Sequence, residues 1–185
     1  MRKLKLQMQL SVDGFVAGPN HEMDWMVWDW SDDLNNYVSG ITEPVDTILL
    51  GRKLAEGFID TWLALENDPK TAADFVRKMN NTPKMVFSNT LQSTNWKNTT
   101  VANGNFVTQI EVLKNQEGGD IIVYGGASFV ASLINQNLID DLYLFINPTA
   151  LGNGLPIFTN RTNLTLIEAK PFDCGIVLLH YQPNK

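Results

Sequence analysis

The sequence predicts a three-layer α/β domain, with a mostly parallel central sheet, an antiparallel C-terminal edge and helices on both faces. Three observations carry this. Strand-like and helix-like segments alternate through most of the 185 residues, the pattern of βαβ units. Two apolar stretches then close the chain without a helical pattern between them, which reads as an antiparallel pair. Finally, Ile121-Ile-Val-Tyr-Gly-Gly-Ala-Ser-Phe129 runs a β-branched strand through paired glycines into the apolar spacing of a helix (Phe129, Val130, Leu133, Ile134).

The elements follow in order. Lys3–Leu10 alternates and reads as the first strand. Asp32–Ile41 carries helical spacing (Leu34, Tyr37, Val38, Ile41), with Ser31 or Asp32 as N-cap. Thr47–Leu50 is a short buried strand ending at Gly51, and a short helix follows from Arg52. Thr71–Asn80 is helical by Ala72, Phe75, Val76 and Met79. Met85–Phe87 is a strand ending at Ser88-Asn89, and Val107–Asn115 is a helix. The Ile121 strand and a helix from Ser128 to about Asn135 come next, then strands at Leu142–Ile146, Leu164–Ala169 and Ile176–Tyr181. No repeat, low-complexity segment or charge block interrupts this, so residues 1–185 read as a single domain.

Composition narrows the function. The net charge is −6 and Lys and Arg do not cluster, which argues against a nucleic-acid binder. No apolar run spans a bilayer, and the basic, alternating N-terminus lacks a signal-peptide core. The lone Cys174 excludes an internal disulfide framework and a multi-cysteine zinc site, so a cytoplasmic location and no metal are expected. His21 and His180 have no partners in sequence and read as non-catalytic.

Three predicted strand ends carry suggestive residues: Gly51-Arg52-Lys53, Ser88-Asn89 and Gly125-Gly126-Ala127-Ser128. In open parallel sheets, ligands bind beyond the carboxyl ends of the strands. A helix N-terminus exposes free N–H groups and the positive end of its dipole, and glycines admit a ligand to the backbone. Singly, each turn could be a plain bend. Together they offer a backbone cradle, a guanidinium, a hydroxyl and an amide, which suits a dinucleotide with an additional 2′-phosphate.

The chain at this point resembles a known family. Ser11-Val-Asp-Gly-Phe-Val-Ala17, Leu50-Gly-Arg52 with Phe58, Val86-Phe-Ser88 and Tyr124-Gly-Gly126 are similar, in order, to its successive signatures. Leu138-Ile-Asp-Asp-Leu142, Pro148, Leu151-Gly-Asn-Gly154 and Pro156-Ile-Phe158 resemble its closing block. The family is the dihydrofolate reductase-like superfamily, in particular the branch with the reductase half of the riboflavin-biosynthesis deaminase/reductase. The resemblance implies NADPH as hydride donor and a small heterocyclic or sugar-derived substrate. It sets Gly51, Arg52 and Lys53 beside the phosphates, with Ser88 and Asn89 near the 2′-phosphate. Gly125, Gly126, Ala127, Ser128 and Phe129 would hold the pyrophosphate, while Ala17 and Tyr124 border the nicotinamide. Leu151, Gly152 and Gly154 would line the cleft. Branch members pair through their sheets, which implies a homodimer.

Two departures stand out. Leu54 occupies the place of a signature Thr, which leaves Lys53 to take part of its load. No H-x-E with a downstream P-C-x-x-C is present, so the resemblance covers the reductase without the zinc deaminase half.

Dihydrofolate reductases place a substrate carboxylate at the start of the helix after the first strand, and Asp33 matches that position by spacing. Its surroundings read two ways. It is either a carboxylate facing an N–H-rich heterocycle between aromatic walls (Trp25, Trp28, Trp30), or a first-turn acid favoured by the helix dipole. The tryptophans could equally be core. Asp13 lies in the first signature, where a turn role beside Gly14 is as well founded as a chemical one. The competing functions are reduction of the ribosyl carbonyl of a riboflavin precursor, and an NADPH-binding module without turnover.

Overall fold

Leu4, Leu6, Met8 and Leu10 give β1 (Leu4–Leu10) one apolar face, yet Lys5 and Gln7 on the other face are also buried. A strand covered on both sides belongs inside a parallel sheet. In the computed structural model, which describes residues 1–67 and 73–184, β1 pairs in parallel with β6 (Asp120–Val123) and β7 (Asp141–Ile146). Beyond β6 lie β3 (Val45–Gly51), β4 (Lys84–Phe87) and β5 (Thr99–Ala102), all parallel. Beyond β7 lie β10 (Val177–Pro183) and β9 (Leu164–Pro171). The order is β5-β4-β3-β6-β1-β7-β10-β9, and β10 pairs antiparallel with both its neighbours. A two-stranded ribbon of β2 (Phe15–Ala17) and β8 (Leu155–Pro156) sits apart from it.

The helices divide by the direction in which the chain crosses the sheet. Going from β1 out to β3 and β4 it uses α1 (Asp32–Thr42), α2 (Arg52–Ala64) and α3 (Ala73–Asn81). These pack Leu34, Val38, Ala55, Ile59 and Met79 onto Ile48, Leu50, Ile122 and Phe145. Returning to β6 and β7 it uses α4 (Phe106–Asn115) and α5 (Ala127–Asn135), whose Ile110, Val130 and Leu133 pack on Leu4, Leu6 and Val123. Reversing direction moves the crossovers to the opposite face when all keep one hand. The reversal brings β6 in beside β1, and ligand sites form at such switch points.

Three expectations shift. α2 is 13 residues long rather than short, and a 3-10 turn, Leu65–Asn67, continues it. The helix expected at Thr71–Asn80 is seen as Ala73–Asn81, with residues 71 and 72 outside the described residues. β5 has no counterpart in the expectations. Its Thr99-Thr-Val-Ala102 is half polar because it is an edge strand, supported by β4 alone.

Candidate active site

Every strand from β5 to β7 points its carboxyl end the same way, so the predicted turns share one rim. Two of them are joined. The Gly51 N–H donates to the Gly125 carbonyl at 3.1 Å, which brings the starts of α2 and α5 together. A Cβ on Gly51 would lie 3.0 Å from the Phe129 Cβ and 3.3 Å from the Gly126 nitrogen, so only glycine fits without displacement. Gly125 has φ +145°, a second position reserved for glycine, and its bond to Gly126 is cis. Neither α2 nor α5 has a side-chain cap, whereas Asn105 caps α4 through the Val107 and Thr108 N–H groups. Two helix N-termini therefore meet with their first N–H groups unclaimed by capping side chains.

Around this junction, Arg52 is partly exposed and pairs with Glu56 at 3.8 Å, a surface contact too weak to hold it from an anion. Lys53 and Ser128 are exposed. The Phe129 ring stacks on Phe87 at 5.0 Å and meets Phe106 edge-on, so it belongs to the core while its backbone belongs to the turn. Leu54 reaches across to Gly125; a Cβ there would be 3.0 Å from the Leu54 Cδ2.

Ser88 lies next along the rim and is buried. Its hydroxyl accepts the Thr90 and Leu91 N–H groups at 3.1 and 2.9 Å, and its carbonyl accepts the Asn103 amide at 2.6 Å. The turn is thus self-braced, with Asn89 exposed at its tip. On the other side of β1, Ala17 pairs with Leu155, and a Cβ on Gly154 would sit 2.3 Å from the Ala17 carbonyl. Asp13 accepts from the Ser11 hydroxyl at 2.6 Å and from the Leu151 and Gly152 N–H groups. These bonds, the Ser11 one foremost, hold its carboxyl down at about 2. Asp13 is therefore the clamp that joins the first signature to the late loop.

Asp33 opens α1 and is half-buried. It accepts from the Ser31 hydroxyl at 2.5 Å, the Leu34 N–H at 2.9 Å and the Asp173 N–H at 3.3 Å, the last in the β9–β10 turn. The Ser31 bond dominates and, with the two N–H bonds, outweighs desolvation, so its carboxyl lies below its ordinary range. An open groove of about 380 Å³ beside it is lined by Asp29, Trp30, Ser31, Asp32, Asp173 and Cys174. Trp30 packs against the core and donates its ring N–H to the Val27 carbonyl. Trp25 is half-buried and bonded to the Glu22 carbonyl. Trp28 is 64% exposed and builds no apolar wall, because this loop turns Trp30 inward instead. Among the described residues, no cluster of His, Cys, Asp or Glu is placed to hold a metal ion.

The model of the RibD C-terminal domain matches residues 2–178. The chain belongs to that family. YyaP, an uncharacterized protein of Bacillus subtilis strain 168, is 32% identical over 189 residues, covering 99% of this chain and 96% of its own. A Shewanella sp. PV-4 protein assigned to riboflavin biosynthesis shares the fold with TM-score 0.74 at 19% identity, each chain fully covered. Dihydrofolate reductase of Enterococcus faecalis, in complex with NADP(H), matches with TM-score 0.61 at 14% identity over 99% of this chain and 97% of its own. The fold is dihydrofolate reductase-like.

At the Gly51–Gly125 junction the rim of this RibD-type domain offers helix N–H groups without side-chain caps beside Arg52, a donor set that fits the cofactor that the resemblance implies. Sequence reasoning missed Asn147, which is fully buried. Its side chain accepts the Val27 N–H at 2.9 Å and donates to Gln9 Oε1 at 2.7 Å, fastening the tryptophan loop to β1 and β7. The only signal was an Asn between a strand and Pro148. Gln7 and Tyr124 hold the two buried side-chain polar atoms without a hydrogen-bond partner among the described residues. His180, read as lacking a partner, meets Asp141 at 2.9 Å, a contact between strands of the sheet.

Proposed function

We propose that this RibD-type domain is an NADPH-dependent reductase acting on a small heterocyclic or sugar-derived substrate. The joined, uncapped N-termini of α2 and α5 carry the reading. Two sets of N–H groups and two dipole ends converge where Gly51 and Gly125 let a ligand reach the backbone. Gly125, Gly126, Ala127 and Ser128 would hold the pyrophosphate, and Phe129 would contribute its N–H. Arg52 and Lys53 would meet the remaining charge, with Leu54 supplying packing at the place of the signature Thr that the resemblance implies. The Ser88 hydroxyl accepts two N–H bonds from its turn and lies 3.5 Å from the Thr90 hydroxyl, and its hydrogen would turn to a 2′-phosphate when the cofactor binds. Ala17, Leu151, Gly152 and Gly154 would close over the nicotinamide side, held by the Asp13 clamp.

When bound, NADPH supplies a hydride to a C=N or C=O carbon. The protein contributes proximity and orientation. Asp33, kept ionised by Ser31 and the two N–H bonds, would accept a substrate N–H and orient the ring. A carboxyl held below its ordinary range is a poor proton donor at neutral pH, so water would supply the proton.

Titration calorimetry with NADPH and NADH tests the cofactor. A charge-assisted contact is worth about 1.5–3 kcal/mol, so NADPH should bind tighter by a factor on the order of ten or more. Equal affinities would overturn the assignment of Arg52 and Ser88. Cofactor oxidation measured with dihydrofolate, with the ribosylamino-uracil precursor and with neither then separates pterin reduction, riboflavin-precursor reduction and binding without turnover.

A further inference from the structure

Asn147 lies fully buried just past the end of β7, and all of its polar groups are engaged. Its backbone N–H donates to the Leu10 carbonyl and its carbonyl accepts the Thr149 N–H, both at 2.8 Å. Its side-chain amide donates to Gln9 Oε1 at 2.7 Å and to the Phe145 carbonyl at 3.3 Å. Its side-chain oxygen accepts the Val27 N–H at 2.9 Å, from 120 positions away in the chain. A buried amide is costly unless it is satisfied, and a satisfied network makes its surroundings rigid.

The surroundings in this case are the loop of residues 18–31, between β2 and α1. Two bonds tie the middle of that loop to the segment after β7. The Val27 bond is the short one; the Thr149 hydroxyl reaches the Trp25 carbonyl at 3.5 Å. Val27 also holds the next link, because its carbonyl accepts the Trp30 ring N–H at 2.9 Å and both side chains pack on the core beneath α1 and α2. Ser31 follows Trp30 directly. Its hydroxyl accepts the Cys174 N–H at 3.2 Å and donates to Asp33 at 2.5 Å, the bond that does most to hold the Asp33 carboxyl low.

We propose that Asn147 is a positioning residue: by holding the Val27 N–H it fixes Trp30 and Ser31, and through Ser31 it sets the Asp33 carboxylate at the edge of the groove. Asn147 itself meets neither substrate nor cofactor. This deepens the reductase reading, on which the use made of Asp33 rests.

The test follows the Asp33 carboxyl by carbon-13 NMR titration in wild type, Asn147→Leu, Ser31→Ala and the double variant. Asn147→Leu keeps the size and removes the oxygen that holds Val27. It should let the Asp33 carboxyl rise toward its ordinary value of 3.8, in the direction that Ser31→Ala moves it. The double variant should titrate as Ser31→Ala alone, because the effect of Asn147 passes through Ser31. Gln9→Leu takes a partner from the Asn147 amide and leaves its oxygen on Val27, so it should leave Asp33 where it is. An unmoved Asp33 in folded Asn147→Leu overturns the proposal. So do additive shifts in the double variant, or a Gln9→Leu shift as large as that of Asn147→Leu. If Asn147→Leu does not fold, Asn147→Ser, whose hydroxyl falls short of Val27, carries the same comparison. Calorimetry with NADPH reports on the underlying reading separately. NADPH affinity of Asn147→Leu should stay within about twofold of wild type, since the cofactor rim lies on α2 and α5. Wild-type protein that does not bind NADPH overturns the reductase reading and leaves the coupling of Asn147 to Asp33 to stand or fall on the titrations.

Discussion

At Asp33 the carboxylate already accepts bonds from Ser31, Leu34 and Asp173, so its role in catalysis and its role in the fold overlap in one side chain. Asp33→Asn keeps the size and removes the charge. Turnover should fall roughly tenfold to a hundredfold, the scale of a lost charge-assisted hydrogen bond, with NADPH affinity unchanged. Asp32→Asn, exposed and one residue earlier, should leave turnover alone. Steady-state kinetics of both variants check this; an active Asp33→Asn with a lower melting temperature would make Asp33 a brace for the β9–β10 turn. The pH sign follows from the lowered carboxyls. Asp33 and Asp13 are depressed in the fold, so their contributions are complete above the ordinary value of 3.8. They are lost only as pH falls through the folded values, about 2 for Asp13. The acid limb of an activity profile should therefore not show an Asp33 titration near pH 5 to 7.

Among the elements, the strand-to-helix turns separate space from conformation. Gly126 has φ −73°, and a Cβ there would find only the Leu54 Cβ, at 3.9 Å. The positive φ of this turn belongs to Gly125. Gly126→Val should accordingly fold, while its side chain fills the approach to the α5 N–H groups and NADPH binding is lost. Circular dichroism with calorimetry reads both halves, and undiminished affinity in a folded variant would reduce the turn to a bend. A second test concerns the junction of α3 and β4. Lys84 is buried and its ammonium donates to the Asn80 and Thr82 carbonyls, closing the end of α3. Burial first, and Lys97 second, push it down to about 8 from 10.5. The unfolded chain then binds more protons than the fold between those values, so this residue makes stability rise with pH there. Urea unfolding at pH 7 and pH 10 should show wild type gaining on Lys84→Met as pH rises.

For the whole molecule, the two sheet edges differ. β5 is four residues of mixed polarity, whereas β9 is eight residues with Leu166 and Ile167 51% and 49% exposed. A long edge with exposed apolar side chains is a template for pairing, and closed twofold dimers are the commonest oligomer. A homodimer through β9 is the expected state. Light scattering at micromolar concentration should report twice the chain mass, and Leu166→Lys with Ile167→Lys should halve it. A wild-type monomer would refute the pairing.

Local order was legible in the sequence because its signals are local. The alternation of β1, the Leu34–Val38–Ile41 stripe of α1 and the Gly-Gly turn each lie within one element, and their succession was enough for the α/β class. The ordered signatures went further and pointed to the family. What only the tertiary structure decided depends on side chains meeting across elements. Gly51 needs to be glycine because Phe129 comes within 3.0 Å of its missing Cβ, a constraint 78 positions away in the chain. Trp30 rather than Trp28 turns inward because residues far along the chain, Asn147 among them, hold the loop. Asp13 proved a clamp because Leu151 and Gly152 come to it. The unpaired polar atoms of Gln7 and Tyr124 could not be read from the chain, because an unsatisfied hydrogen bond is a property of surroundings and not of a residue.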